Sequence, residues 1–229
     1  MLSSKFKLNW KYALGEITLI FMGISLAVAF DNWNQQLNKD KAQLLILQEI
    51  RTDLHQDTML LNSAIRGTQK FLASIDFLEK ALESKRPYSD TISQVLAQAL
   101  RFPRISFISA GYQTLKSTDI TLIKNQSLRR MTVEYYEFMH PKVKEQMGDV
   151  EFEFKTYWTP WILENIIEFR YSRIAVPIDY NTMLNDDLLV RNFKISKDNN
   201  SGLYGGLIQA QKNVNRLIKE IDEELIKLK

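Results

Sequence analysis

The sequence predicts an all-α protein in which a single N-terminal transmembrane helix continues into a long helix of an extramembrane helical bundle. Three observations predict it. Residues 12–30 (YALGEITLIFMGISLAVAF) form an almost wholly apolar run whose one charge is Glu16. Residues 35–85 hold no Pro and one Gly, while Leu and Ile recur at intervals of three, four or seven. The 229 residues are 45% hydrophobic and 25% charged, with only 8 Gly and 5 Pro. That is too apolar for a disordered chain and too poor in turn formers for an all-β one.

The length suits one ordinary domain plus an anchor, large enough to bury a core without covalent staples. With no Cys, disulfides and thiol nucleophiles are excluded, although this does not fix the compartment. A net charge of +3 is too small to argue for nucleic acid as a partner.

A helix crossing the hydrocarbon core needs about 20 apolar residues. Residues 12–30 supply 19, counting Glu16. Trp10 and Tyr12 on one side and Trp33 on the other stand where interfacial aromatics belong, and Asp31 and Asn32 mark the return to water. Lys5, Lys7 and Lys11 precede the run with no acid among them, whereas Asp31, Asp40 and Glu49 follow it together with Lys39 and Lys41. This bias predicts an inner-membrane protein with a cytoplasmic basic tail over residues 1–11, a span over 12–30 and a periplasmic helical domain over 31–229. Ala27-Val28-Ala29 also has the form of a signal-peptidase site. An uncleaved anchor fits better, because the helical pattern runs on past it and Glu16 would interrupt an apolar signal core. Glu16 lies one turn into the helix, within reach of the headgroups and near the positive end of the dipole. The alternative is a carboxylate that pairs with another subunit's helix, with Gly15 and Gly23 allowing close approach.

The opening stretch, residues 11–54, carries Tyr12, Ala13, Gly15 and Glu16, then Gly23 and Ile24 inside the run, then Asn32-Trp33-Asn34 and a Leu/Ile-rich helix. It resembles an uncharacterised family of membrane-anchored Bacteroidota proteins, the domain-of-unknown-function family 6090. Residues 111–130 (GYQTLKSTDITLIKNQSLRR) are similar to a second segment of that family. The region of Ala29 and Asp31 departs from the amide-rich exit the family carries. The resemblance implies a single-span anchor bearing a helical domain and brings no activity with it.

Leu44, Leu47, Leu54, Leu61, Ile65, Leu72, Ile75 and Leu82 make one helical stripe. Leu45, Ile46, Ile50, Leu60, Phe71 and Leu78 widen it beyond a two-stranded seam, so it belongs in a bundle rather than an isolated coiled coil. Ser84-Lys85-Arg86-Pro87 ends this helix, and Ser89 with Asp90 caps the next, over residues 91–100 and stopped before Pro103. Short helices and turns follow, with Asp119 or Asn125 as caps. A further helical region is expected over residues 127–170, interrupted at Pro141 and at Thr159-Pro160. Residues 173–180, with Pro177, read as extended chain or loop. The Asn- and Gly-rich stretch 199–206 is expected to introduce a final helix, which packs antiparallel to the first and returns toward the membrane.

Two histidines, His55 and His140, limit imidazole chemistry. Glu137 and His140 form Glu-x-x-His, one half of a di-iron pattern whose second copy fails because Thr52 stands three residues before His55. A surface pair explains them better, so no cofactor or metal is expected. Glu49, Asp53 and Asp57 fall at i, i+4, i+8 and are read as the solvated face of a stalk rather than a cation site. Arg101, Arg104, Lys116, Lys124, Arg129 and Arg130 stand against Asp119 alone. They form either a patch for an anion or partner or, on the preferred reading, a segment neutralised by the acidic stretch after it. Tyr157, Trp158 and Trp161 belong to an aromatic cluster that is core in the simpler reading and an apolar pocket in the sharper one. No phosphate loop, zinc spacing or nucleophile elbow is present. The expected function is therefore that of a non-enzymatic accessory or structural subunit working through contacts with the bilayer and with other membrane or periplasmic subunits, or with further copies of itself. A ligand-binding ectodomain is the alternative, and a metal enzyme built on Glu137 and His140 the minor one.

Overall fold

The computed structural model describes residues 10–228, without the side chains of residues 11–13. Of the expected basic tail, Lys5 and Lys7 lie outside the described residues, as do the side chains of Lys11 and Tyr12. Helix α1 runs unbroken from Trp10–Glu83, 74 residues. Its first part is long and apolar enough to cross a membrane, and none of that stretch is covered by the rest of the chain. Trp10 and Trp33 are both exposed and lie about 35 Å apart at helical rise, a hydrocarbon core plus its edges. Thr18 donates its hydroxyl to the Leu14 carbonyl at 2.8 Å, which satisfies that polar group within the span. Residues 31–42 then form a stalk, knit by the Gln35–Asp31 and Gln36–Asp40 pairs, before Gln43 becomes the first buried side chain.

Beyond the stalk come α2 (Asp90–Ala99), α3 (Ala110–Thr118), a single 3-10 turn, and α4 (Gln126–Glu134). Ser89 caps α2 through Ile92 N–H, Asp119 accepts from Thr121 N–H, and Asn125 caps α4 through Ser127 and Leu128 N–H, as the spacing predicted. The end of α1 carries Lys85 at φ 49°, with Arg86 N–H donating to the Ala81 carbonyl and Lys85 N–H to that of Leu82. This is a Schellman closure with a side chain where glycine is preferred. Lys85→Gly should raise unfolding stability by about 1 kcal/mol, read as a shift in a urea melt.

The region after α4 departs from expectation. The chain does not break at the prolines: a π turn over Tyr135–Met139 leads into α5 (His140–Glu153), and a second over Phe154–Trp158 into α6 (Thr159–Asn165). In both places Pro is the second residue after the π turn. A proline ring displaces the carbonyl four residues earlier, and the wider turn takes up that displacement without ending the helix. The expected helix to residue 170 is also corrected. Ile166–Arg170 is strand β1, paired antiparallel with β2 (Ile174–Pro177) in a two-stranded hairpin with a bulge at Ile167. The Ile-Ile-Glu-Phe-Arg run is too short for periodicity to separate strand from helix.

A short α7 (Tyr180–Met183) precedes α8 (Asp187–Lys227), which Asp186 caps through Leu188 and Leu189 N–H. The final helix therefore starts well before residues 199–206 and runs straight through them. Its antiparallel packing on α1 is as expected. Arg51 pairs with Asp222, Asn62 with Gln211, Gln69 with Tyr204, and Lys197 with Asp76, so number rises along one helix as it falls along the other. The core has two parts. One joins Leu47, Ile50, Leu54 and Leu61 of α1 to Leu115, Leu128, Tyr135, Val143 and the Leu203–Ile221 face of α8. The other joins Phe71, Ile75 and Leu78 to Leu96, Trp158, Ala175, Leu189 and Phe193. Thr68 of α1 and Asn200 of α8, both buried, fall in sequence between the apolar positions of these two parts.

Candidate functional site

The expectation that Asp53 and Asp57 face solvent is overturned: Asp57 is 0% exposed and Asp53 6%, while Glu49 alone of the three is exposed. Lone buried carboxylates are costly unless their oxygens are bonded. Here Asp53 Oδ2 accepts Gly111 N–H at 2.8 Å, and Asp57 Oδ1 accepts Ile108 N–H at 2.9 Å. The chain entering α3 is thus fastened to α1 by two side chains one helical turn apart. Gly111 permits it, since a Cβ there would lie 2.8 Å from the Ile50 nitrogen.

Asp57 Oδ2 accepts two further bonds, from the Tyr135 hydroxyl at 3.0 Å and from His140 Nε2 at 3.0 Å. An ionised carboxylate only accepts, so Nε2 carries the proton and Nδ1 is left as the ring's other polar atom. The first π turn makes this arrangement. By widening the helix it brings the successive side chains Tyr135 and Tyr136 both inside, with Met139 and His140 one turn on. His140 stacks on Phe107 at 4.1 Å, and Tyr136 on Tyr112 at 4.5 Å. The Tyr136 hydroxyl is buried with no hydrogen-bond partner among the described residues.

Glu137 points elsewhere. Its Oε1 accepts from Lys116 Nζ at 2.8 Å and from the Tyr112 hydroxyl at 2.9 Å, and these bonds, Lys116 first, hold its carboxyl below the usual range. Glu137 and His140 are therefore not a surface pair, since each serves a different partner. Among the described residues no three His, Asp or Glu side chains converge as metal ligands would.

Burial, and then the Glu137 carboxylate beside its hydroxyl, push the Tyr112 phenol up to about 12. Tyr135 and Tyr136 are raised further, chiefly by burial and then by Asp57. In an unfolded chain these phenols ionise near pH 10. Below that pH both states stay protonated, and above it only the unfolded state releases protons, so stability must fall as pH rises past about 10. The expected slope is up to about 1.4 kcal/mol per pH unit for each of the three tyrosines. Urea melts between pH 9 and 11.5, with phenolate absorbance recorded alongside, check it; a flat midpoint across that range would contradict it.

His140 also forms part of a cleft of about 500 Å³, lined by Ile105, Ser106, Phe107, Tyr136, His140, Pro141, Lys144 and Met147. The volume is that of a small-molecule site. The lining carries one cation, Lys144, and no acid.

The other expected sites are placed as follows. Of the basic segment, Lys116 meets Glu137, Lys124 meets Asp40 of α1, Arg129 donates to the Ile123 carbonyl, and Arg101 reaches Gln98. Arg104 lies over the Phe102 ring, while Arg129 and Arg130 line an open depression of about 670 Å³. Trp158 is buried, stacked on Phe193 at 5.0 Å, and donates Nε1 to Glu153 and Ser196. Trp161 packs edge-on to it and Tyr157 is half-buried beside it, so the cluster contributes to the second core. Glu16 is exposed on the apolar part of α1, and among the described residues nothing approaches within 4 Å of a Cβ at Gly15 or Gly23.

The model of a family of unknown function, DUF6090, matches residues 16–146, more than half of the chain and inclusive of the second stretch that carried the resemblance. Neither a curated protein nor a solved structure matches.

Proposed function

The chain belongs to the DUF6090 family, and on that footing we propose a single-pass inner-membrane protein, N-terminus in the cytoplasm and bundle in the periplasm. It works by protein contacts, as an accessory or structural subunit. The observation that carries this reading is the continuity of α1, which enters both core regions without a loop after the span. Such a helix holds the bundle at a set height and orientation above the bilayer, which is useful to a protein that must meet a membrane-bound partner. The three lysines before the span, against Lys39 and Lys41 after it, support the orientation. Exposed Glu16, Gly15 and Gly23 give the span a face on which another helix can pack. We read the protein as non-enzymatic, because the Glu-x-x-His pair is divided between Lys116 and Asp57. Elemental analysis of purified protein should accordingly find no stoichiometric metal. The subunit reading is tested by crosslinking in membranes followed by purification in mild detergent. A discrete stoichiometric partner, or a defined homo-oligomer, is expected; a lone monomer under all crosslinking conditions would reject it.

A second reading, a ligand-binding ectodomain, is favoured by the cleft at His140.

A further inference from the structure

We propose that the cleft between the Ile105–Phe107 strip and the first turns of α5 binds a small organic anion, a carboxylate on an apolar body. The inference rests on the ligand-binding reading above and names its ligand class. Four wall residues, Ile105, Phe107, Pro141 and Met147, are apolar, and the space of about 500 Å³ admits a body the size of an aromatic ring with its substituents. The polar wall is one-sided. Lys144 supplies a positive charge and makes no ion pair with any described residue, Ser106 supplies a hydroxyl, and no acid lines the space.

The nearest buried carboxylate, Asp57, is turned away from a ligand. Its oxygens are taken by Ile108 N–H, the Tyr135 hydroxyl and His140 Nε2. The His140 ring, clamped by that bond and by its stack on Phe107, is a fixed wall rather than a mobile one. The Tyr136 ring forms part of the wall, while its hydroxyl is closed off from the cleft and supplies no donor to it. A cationic ligand would meet Lys144 with nothing to offset it, so the cleft selects for negative charge.

The test is saturation-transfer NMR on the full-length protein in uncharged detergent micelles, with empty micelles as control. The probes are phenylacetate, benzyl alcohol and 2-phenylethylammonium. Phenylacetate should bind the protein most tightly and the ammonium compound least. Lys144→Gln, on an exposed side chain whose loss leaves the core intact, should weaken phenylacetate by about fivefold and leave benzyl alcohol unchanged. Met147→Trp, which fills the cleft, should remove binding of all three, with thermal melting confirming the fold. If benzyl alcohol binds and Met147→Trp removes it, but phenylacetate is no tighter and Lys144→Gln has no effect, the anion assignment is overturned while the ligand-binding reading stands. If no probe gives a protein-dependent signal, or the signals survive Met147→Trp, both are overturned.

Discussion

Asp57→Ala is expected to destabilise the bundle by about 3–5 kcal/mol, the largest effect of any single side-chain change outside the apolar core. Three donors from two separate stretches of the chain end on this one carboxylate: a backbone N–H before α3, and the Tyr135 hydroxyl and His140 Nε2 from the first π turn and the start of α5. Removing it strands the buried Tyr135 hydroxyl and unpairs the part-buried Ile108 N–H and His140 ring. Asp57→Asn should cost less, because its single oxygen still accepts at one end while its amide confronts donors at the other. Urea unfolding of the detergent-solubilised protein, followed by circular dichroism, measures both. An Asp57→Ala protein within 1 kcal/mol of the parent would show that the network is ornamental.

Gly111→Ala carries the second large expectation, a loss of about 3 kcal/mol. The added Cβ would lie 2.8 Å from Ile50 N and 3.1 Å from the Glu49 carbonyl carbon, both main-chain atoms of α1 that cannot swing aside. Separating the helices to make room also lengthens the Gly111 N–H bond to Asp53. Gly206→Ala is the control. Its Cβ would sit closest to the Gln146 amide oxygen, the free end of a flexible side chain. Turning Gln146 loses one 3.2 Å bond to the Gly202 carbonyl, while alanine in mid-helix returns up to about 1 kcal/mol. The net change should be close to neutral. Parallel melts of the two variants separate a backbone contact from a side-chain one, and equal losses would contradict the geometry.

The same residues show why some of the structure could be read from the chain and some could not. The apolar helix long enough to cross a membrane, its continuation, and the caps at Ser89, Asp119 and Asn125 are local signals: apolar length, period, and a side chain bonding two or three residues ahead. The antiparallel return of α8 follows from its apolar face needing cover. The extended reading of residues 173–180 agrees with β2, whereas β1 reads as helix in sequence because five residues of Ile, Glu, Phe and Arg satisfy a helix as well as a strand. The start of α8 was misplaced because Asn199, Asn200, Gly202 and Gly205 look like a breaker. Packing against α1 and α5 overrides that weak preference. The prolines at 141 and 160 were legible as perturbations. Sequence did not say that a π turn would absorb each, nor that the first would turn two adjacent tyrosines inward.

The site shows the sharper failure. Asp57 falls three residues after Leu54 and four before Leu61, and Asp53 three after Ile50, so both stand inside the apolar stripe and the period itself points to burial. Their partners lie between 51 and 83 residues away in sequence, so nothing local says what satisfies the two carboxylates there. His140 was singled out by its spacing from Glu137, yet its partner is an acid on another helix. A second hint is the cluster of Tyr112, Tyr135 and Tyr136, with His140 close in sequence to the latter two: aromatic side chains whose polar ends usually find a partner when they are buried.

The central claim, a bundle carried on the far side of the membrane by one unbroken helix, is open to direct measurement because the chain has no Cys. Single cysteines can be placed at Ser4, before the span, and at Ser201, on the exposed face of α8. Cells with a permeabilised outer membrane are then treated with a membrane-impermeant maleimide. The account predicts that Ser201→Cys is labelled in these cells and that Ser4→Cys is labelled only after the inner membrane is broken. Labelling of Ser4→Cys with protection of Ser201→Cys, or equal labelling of both before lysis, would contradict it.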